Sequence, residues 1–329
     1  MLRLRYSVMI TLLSCGALAC TKGDDGNIYG MEGEESPTGI TVGDDSTDNA
    51  EQTDAPGDGD GQGDGDGDQG DGDGDSGSIK LDTLPDEGAD DGIDPEECLE
   101  DVDIVFVMDV STTMGPFFDK LESEISAVHD ALSAYDLPNP PHYGLVVFVD
   151  DFTLVNAGVP YTDVEELKAD FAYWNDFTAS NQQTDGGGYN STWTENSLDA
   201  LFSAAVGFQW RPKNSTLRMI IHTTDDTFWN GPTVGNGIDI LHNYPETVDI
   251  LQANEIRMFT FADLIGGQCE CDDVSEGFFT EFQGQPPIPA QTGGAAYNIG
   301  EVLAGILSLS QAITDSIDDS YCEDYPPVD

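Results

Sequence analysis

The sequence predicts an α/β fold for residues 98–323, a doubly wound, mainly parallel sheet with helices on both faces, behind a disordered acidic tether. Two observations carry that prediction. From Asp101 onward, apolar runs of strand length alternate with segments whose apolar residues recur at helical spacing, the pattern of strands joined by crossover helices. Before that point, residues 20–97 have almost no apolar periodicity, and residues 57–75 form an Asp-Gly alternation, GDGDGQGDGDGDQGDGDGD.

Residues 102–108 (VDIVFVM) read as a strand buried on both faces. Phe118, Leu121, Ile125, Val128 and Leu132 then recur at helical spacing and mark the first crossover helix. Residues 143–149 (YGLVVFV) are a second strand, followed by an edge strand at 152–155. Leu198, Leu201, Phe202, Ala205 and Val206 form the apolar stripe of the next substantial helix. Residues 217–222 (LRMIIH) are another core strand, 245–253 a helix and 257–261 (RMFTF) a further strand. Val302, Ile306, Leu309, Ile313 and Ile317 place a final helix at the end of the domain.

The chain opens with Arg3 and Arg5 followed by an apolar core at 8–19, so residues 1–19 read as an export signal too short to span a bilayer. After Cys20 the sequence turns polar, which resembles a bacterial lipoprotein processing site with Cys20 as the acylated N-terminus. Cys15 is the alternative, with Leu12 three positions before it and Ser14 just before it. The expected location is the bacterial cell envelope, with a lipid anchor in the outer membrane and the domain facing periplasm or exterior. Residues 20–97 cannot bury enough surface to offset their ordering entropy, and their like charges repel, so they are expected to act as an extended tether. Residues 324–329 are a short tail. Cys98, Cys269, Cys271 and Cys322 are an even set in an exported chain and favour disulfides; a Cys98–Cys322 bridge would staple the ends of the domain if its bounds lie there.

Sixty-four acidic against ten basic side chains give a formal charge of -54. Nucleic acid needs clustered Lys and Arg for counterion release, and nothing after Arg5 supplies such a cluster. The acidity suits divalent cations instead. In an open sheet, ligands bind beyond the carboxyl ends of the strands, and three oxygen-rich clusters fall there. They are Asp109-Val110-Ser111-Thr112-Thr113, the loop 186–195 with Asn190, Thr192 and Glu195, and Thr223-Thr224-Asp225-Asp226. Alternate residues Asp109, Ser111 and Thr113 can turn a carboxylate and two hydroxyls to a common point, the donor type that hard cations such as Mg²⁺ select.

Taken together, these clusters resemble the metal-ion-dependent adhesion site of von Willebrand A domains, D-x-S-x-S followed by a loop Thr and an Asp. The similarity looks closest to the A-type domain of integrin β subunits. It rests on VDIVFVMDVSTTM (102–114), YGLVVFVD (143–150), TENSLDAL (194–201), IIHTTDD (220–226), YPETVDILQANEIRMFTFA (244–262) and TGGAAYNI (292–299) in order. It implies Asp109, Ser111, Thr113 and Asp225 as metal ligands, with Thr192 or Glu195 as the middle ligand. It also implies a second cation at Asp150, Asn190 and Glu195. Mg²⁺ is the expected ion, with Ca²⁺ or Mn²⁺ as alternatives. The acidic pair the family uses for a third cation is replaced by Gly115, Pro116 and Phe117, with Asp119 the nearest substitute. The implied activity is capture of an acidic group on a protein or glycoprotein partner, with the membrane contacted only through the lipid anchor.

Ordinary roles are open to the same residues. Asp, Ser and Thr after a strand commonly cap helices or close turns. Trp193, Trp210 and Trp229 suit packing, and His222 and Asp226 suit strand-end structure. No nucleophile elbow, His-Glu-x-x-His or phosphate-cradling loop with Lys occurs, so the expectation is a binding module, or a scaffold with a vestigial metal site, ahead of a metal-assisted hydrolase.

Overall fold

The computed structural model of the chain describes residues 98–135, 137–265 and 273–327. The export signal, Cys15, Cys20, the tether, Cys269 and Cys271 lie outside the described residues. In chain order the elements are β1 (Asp101–Asp109), α1 (Gly115–Leu132), β2 (His142–Phe148), β3 (Phe152–Leu154) and a short 3₁₀ turn (Val155–Gly158). Next come α2 (Val164–Thr178), β4 (Thr194–Glu195), α3 (Ser197–Gly207), β5 (Thr216–Thr224), β6 (Thr227–Phe228), β7 (Thr233–Gly235) and β8 (Ile238–Ile240). The last are α4 (Tyr244–Ala253), β9 (Ile256–Ala262), α5 (Ile288–Gln291), β10 (Ala296–Asn298), α6 (Ile299–Leu303) and α7 (Leu309–Tyr321).

The main sheet runs β10-β9-β5-β1-β2-β3. All its pairings are parallel except that of β3 with β2 at the edge. From β1 the chain winds outward through α1 to β2, then returns to the opposite side of β1 with β5. β1 and β5 therefore flank the topological switch point, where the loops leaving the two strands diverge and open a crevice.

Every residue of β1 is buried because the sheet is covered on both faces. Ile104, Phe106 and Met108 join one core with Phe118, Leu121 and Ile125 of α1, Phe171 of α2 and Ile313 and Ile317 of α7. Val105 and Val107 point the other way, into a core with Leu198 and Leu201 of α3 and Val248 and Leu251 of α4. The period-two alternation of a strand thus sorts one continuous apolar run into two cores. Phe106 and Phe118 both meet the Phe171 ring edge-on, which ties α1 and α2 to the sheet.

Helix ends follow local chemistry. Asp163 caps α2 by accepting the Glu165 N–H at 2.9 Å, with Glu165 and Glu166 in the first turn. Asn243 and Glu246 form a reciprocal capping box on α4. The expected single helix through Val302, Ile306 and Ile317 is corrected to two. Gly305 adopts φ +70°, Ile306 is 77% exposed, and Ser308 caps a fresh helix by accepting from the Gln311 N–H. The α3 stripe is also narrower than expected, since Val206 is exposed and Phe202 is half-buried, stacked on His242.

At the amino ends of the strands, Asp101 and Asp103 are buried within β1. Arg211 answers both: its Nε reaches Asp103 Oδ1 at 2.7 Å, its Nη1 reaches Asp101 Oδ1 at 2.8 Å, and its Nη2 donates to the Val102 carbonyl at 2.6 Å. Burial still pushes the Asp103 carboxyl up from its ordinary range, against the pull of Arg211. Cys98 and Cys322 form a disulfide that joins the two ends of the domain across 224 residues of sequence. No helix among the described residues is long and apolar enough to cross a membrane.

Replacing Arg211 with Ala leaves the Asp103 carboxylate buried without its cation. The expected cost is about 3–5 kcal/mol of folding stability, read as a lower urea midpoint at unchanged slope.

Candidate metal centre

β1 and β5 end side by side, with Met108 opposite Thr223 in the register, so the chain segments leaving them emerge together. The third loop is brought in by backbone bonds. Asn196 N–H donates to the Val149 carbonyl at 2.7 Å, and Trp229 N–H donates to the Glu195 carbonyl at 3.0 Å. β4 pairs with β6, so Thr194 and Glu195 lie alongside Thr227 and Phe228, just beyond Asp225 and Asp226.

A ladder of oxygens results. Asp109 Oδ1 accepts from the Ser111 N–H at 2.7 Å, and its Oδ2 accepts from the Thr224 hydroxyl at 2.8 Å. The Ser111 and Thr113 hydroxyls are 3.1 Å apart, and Thr113 donates to Asp225 Oδ1 at 2.9 Å. Carboxylate oxygens of Asp109, Asp225 and Asp226 lie within 4.8 Å of one another. Glu195 is fully buried; its Oε1 accepts from the Asn190 side-chain amide at 2.8 Å. Glu195 Oε2 and Asn190 Oδ1 are buried with no hydrogen-bond partner.

Ser111, Thr113, Asn190, Glu195, Asp225 and Asp226 line a cleft of about 290 Å³ together with Thr112, Asn181 and Trp193. Burial, and then the nearby Asp225 charge, push the Asp109 carboxyl up to about 7. Burial and the Asp109 charge likewise hold Glu195 well above the usual carboxylate range, and burial raises Asp225. So many carboxylates in one buried place repel each other unless protons or a cation intervene.

Oxygen donors of this kind fit a hard divalent cation. At metal–oxygen distances of about 2.1 Å, ligand oxygens stand up to about 4.2 Å apart across an octahedron, against a bound of 4.8 Å on the separations within the carboxylate trio. The structure sets Asp109, Ser111, Thr113 and Asp225 side by side. Of the two candidates for the middle position, Thr192 directs its hydroxyl to Asp150 Oδ1 and to the Thr194 carbonyl, whereas Glu195 keeps an unpartnered oxygen beside Asp109. Asn190 and Glu195 line the same cleft, and the fully buried Asp150 accepts from the Thr192 hydroxyl. Asp119 stands elsewhere, accepting from the Asn175 side chain of α2 at 2.7 Å.

Two further groups were not singled out for this role from the sequence. Asp226 completes the carboxylate trio, and the tandem Asp225-Asp226 was its visible trace. Asn236 lies at the tip of the β7–β8 hairpin, where Asn236 and Gly237 both have positive φ, and Asn-Gly between strand-forming residues is a hairpin signal. Its side-chain amide donates to Asp150 Oδ2 and, at 2.8 Å, to the Tyr189 carbonyl, and its oxygen accepts from the Ser191 hydroxyl at 2.9 Å. The hairpin thereby clamps the loop that carries Asn190, Thr192 and Glu195.

His222 sits in the core beneath the cleft. Its Nε2 pairs with Ser197 Oγ and its Nδ1 with Thr260 Oγ1, both at 2.8 Å, while its ring stacks on Phe148. Burial lowers its pKa to about 3.

No family model matches the chain, and no curated protein matches it. A solved structure that does match is an aerotolerance-related membrane protein from Bacteroides fragilis carrying multiple mutations to serines. It is 14% identical, over 67% of this chain and 98% of that chain, with a TM-score of 0.39. A likeness of that size adds nothing to the strand order and site geometry described above.

Two outcomes are expected. Asn236→Ala releases the clamp, and amide hydrogen exchange across residues 189–195 speeds up about fivefold, as loss of partly exposed hydrogen bonds worth about 1 kcal/mol in sum requires. His222 stays neutral in the folded state down to about pH 3, whereas in the unfolded chain it charges below about 6.5. Its contribution to stability is therefore present above pH 6.5 and lost as pH falls from there toward 3. In His222→Gln this part of the acid limb flattens, as thermal melts across that range would show.

Proposed function

We propose that the domain is a von Willebrand A-type binding module that captures an acidic group of a protein or glycoprotein partner through a divalent cation, Mg²⁺ first among them. One observation carries the reading: three loops far apart in sequence bring Ser111, Thr113, Glu195 and Asp225 to one cleft, with buried Asp109 within 4.8 Å of Asp225 and Asp226 and a buried Glu195 oxygen that has no partner. The strand order, with one antiparallel edge strand and the cleft at the switch point between β1 and β5, supports it.

In this reading, the cation supplies positive charge and a coordination position for the partner's carboxylate. The chain's own residues do the rest. Asp109 is aligned by the Ser111 N–H and the Thr224 hydroxyl, and Thr113 orients Asp225, so the donors are held before any ion arrives. Ser111 and Thr113 offer donor oxygens without adding charge, so the ion can keep one coordination position for a ligand from outside. The groups lining the cleft are hydroxyls, amides, carboxylates and the Trp193 indole, which suits binding and orientation. Export with a lipid anchor at Cys20 or Cys15, and display on an acidic tether from the outer membrane, complete the proposal.

Titration calorimetry with magnesium tests the site. Binding to the wild-type chain, lost in Asp109→Ala and in Asp225→Ala, is the expected result; unchanged binding in both variants removes the site. Pull-down from cell-surface material with and without chelator then tests capture. Magnesium binding with no chelator-sensitive partner would mark the ion as a structural brace.

A further inference from the structure

The basic side chains of the domain gather at the end of the sheet away from the cleft. Lys120, Lys168, Arg211, Lys213, Arg218 and Arg257 are the Lys and Arg of the described residues, and the last four stand at or beside the amino ends of β1, β5 and β9. Arg211 is paired with Asp101 and Asp103, and Lys213 with Glu255 at 2.7 Å. Arg218 and Arg257 are buried, yet among the described residues neither forms an ion pair; Asp103 and Glu255 act on Arg218, and Glu323 and Asp324 on Arg257, from beyond that distance. Arg218 donates instead to the carbonyls of Arg211 and Asn254, and Arg257 to those of Gly293, Glu323 and Asp324. Carbonyls satisfy N–H groups without cancelling the charge, and a guanidinium has five N–H donors, so each keeps donors to spare.

Both residues line a cavity of about 180 Å³, together with Lys213, Thr216, Tyr321 and Tyr325. Thr216, two positions before Arg218 on β5, is 2% exposed, and its hydroxyl oxygen has no hydrogen-bond partner. A buried hydroxyl in that state costs stability unless a ligand answers it. Of the acids around the cavity, Glu255 is held by Lys213, while Glu323 and Asp324 are exposed.

We propose that this cavity binds a small soluble oxyanion of the phosphate class, held between the Arg218 and Arg257 guanidinium groups with the Thr216 hydroxyl donating to it. A phosphate dianion takes two positive charges and several N–H donors, which planar guanidinium forks supply better than a point charge does. A carboxylate, with one charge and two oxygens, leaves one of the two guanidinium groups uncompensated. The formal charge of -54 holds off anionic surfaces such as phospholipid, so the source is free in solution. The site lies at the opposite end of the strands from the acidic cleft and stands without any cation there.

Titration calorimetry with inorganic phosphate on the full chain, in metal-free buffer at fixed chloride, tests the proposal. Phosphate is expected to bind about tenfold tighter than acetate at neutral pH. Thr216→Val removes the hydroxyl and keeps the side-chain shape. Phosphate affinity is then expected to fall about tenfold while the urea midpoint stays level or rises, because the hydroxyl makes no bond within the chain. Arg218→Gln is expected to abolish phosphate binding, and should that variant fail to fold, Thr216→Val still decides the matter. Phosphatidylglycerol vesicles are expected not to displace the phosphate; displacement would overturn the soluble source. No phosphate binding to the unaltered chain, affinity no better than that of acetate, or affinity unchanged in Thr216→Val overturns the site.

Discussion

The structure depends on a concentration of like charge at the carboxyl ends of β1 and β5. Asp109, Glu195, Asp225 and Asp226 meet where the sheet topology leaves a crevice, and the protein interior weakly screens them from one another. The Thr113–Asp225 and Thr224–Asp109 hydrogen bonds hold two of these carboxylates in place, yet neutralise neither. A set of acids held apart from water in this way asks for protons or a cation. Everything else about the site, from the unpartnered Glu195 oxygen to the capping of the loops, follows from how the fold sustains that repulsion.

The two ends of the sheet handle buried acid in opposite ways. At the amino ends of the strands, Asp101 and Asp103 are matched inside the chain by Arg211, whose guanidinium also satisfies a backbone carbonyl. At that end, tied by the Cys98–Cys322 bond, the buried acids are compensated within the chain. At the carboxyl ends no Lys or Arg among the described residues lines the cleft. The contrast separates a structural ion pair from an uncompensated acidic cluster within one strand, since Asp103 and Asp109 both belong to β1.

Loop control is divided among distant parts of the chain. The β7–β8 hairpin contributes Asn236, which grips Asp150, Tyr189 and Ser191 and so holds the loop bearing Glu195. α6 contributes Leu303 and Ile299 to a second space beside the cleft. The break between α6 and α7 at Gly305 is what allows Leu303 to face that space while Leu309 to Ile317 pack against α1.

Much of this was legible in the order of residues. Continuous apolar runs such as VDIVFVM identified strands buried on both faces, and Asp109, Ser111, Thr113 and Asp225 fell at strand ends because period and polarity change there together. Less visible were α2, whose apolar residues Val164, Leu167, Phe171 and Trp174 are diluted by acidic neighbours, and the hairpin, whose strands are only three residues each. The sequence by itself determined the fold class, the acid-rich character and the residue types available as oxygen donors, because those depend on local periodicity and composition. Only the tertiary structure decided that Glu195 rather than Thr192 presents an unpartnered oxygen, that Asp226 joins the trio, that Asn236 clamps the loop and that an apolar cavity lies alongside. Each of those depends on which distant segments the sheet order sets side by side, a relation that no local pattern encodes.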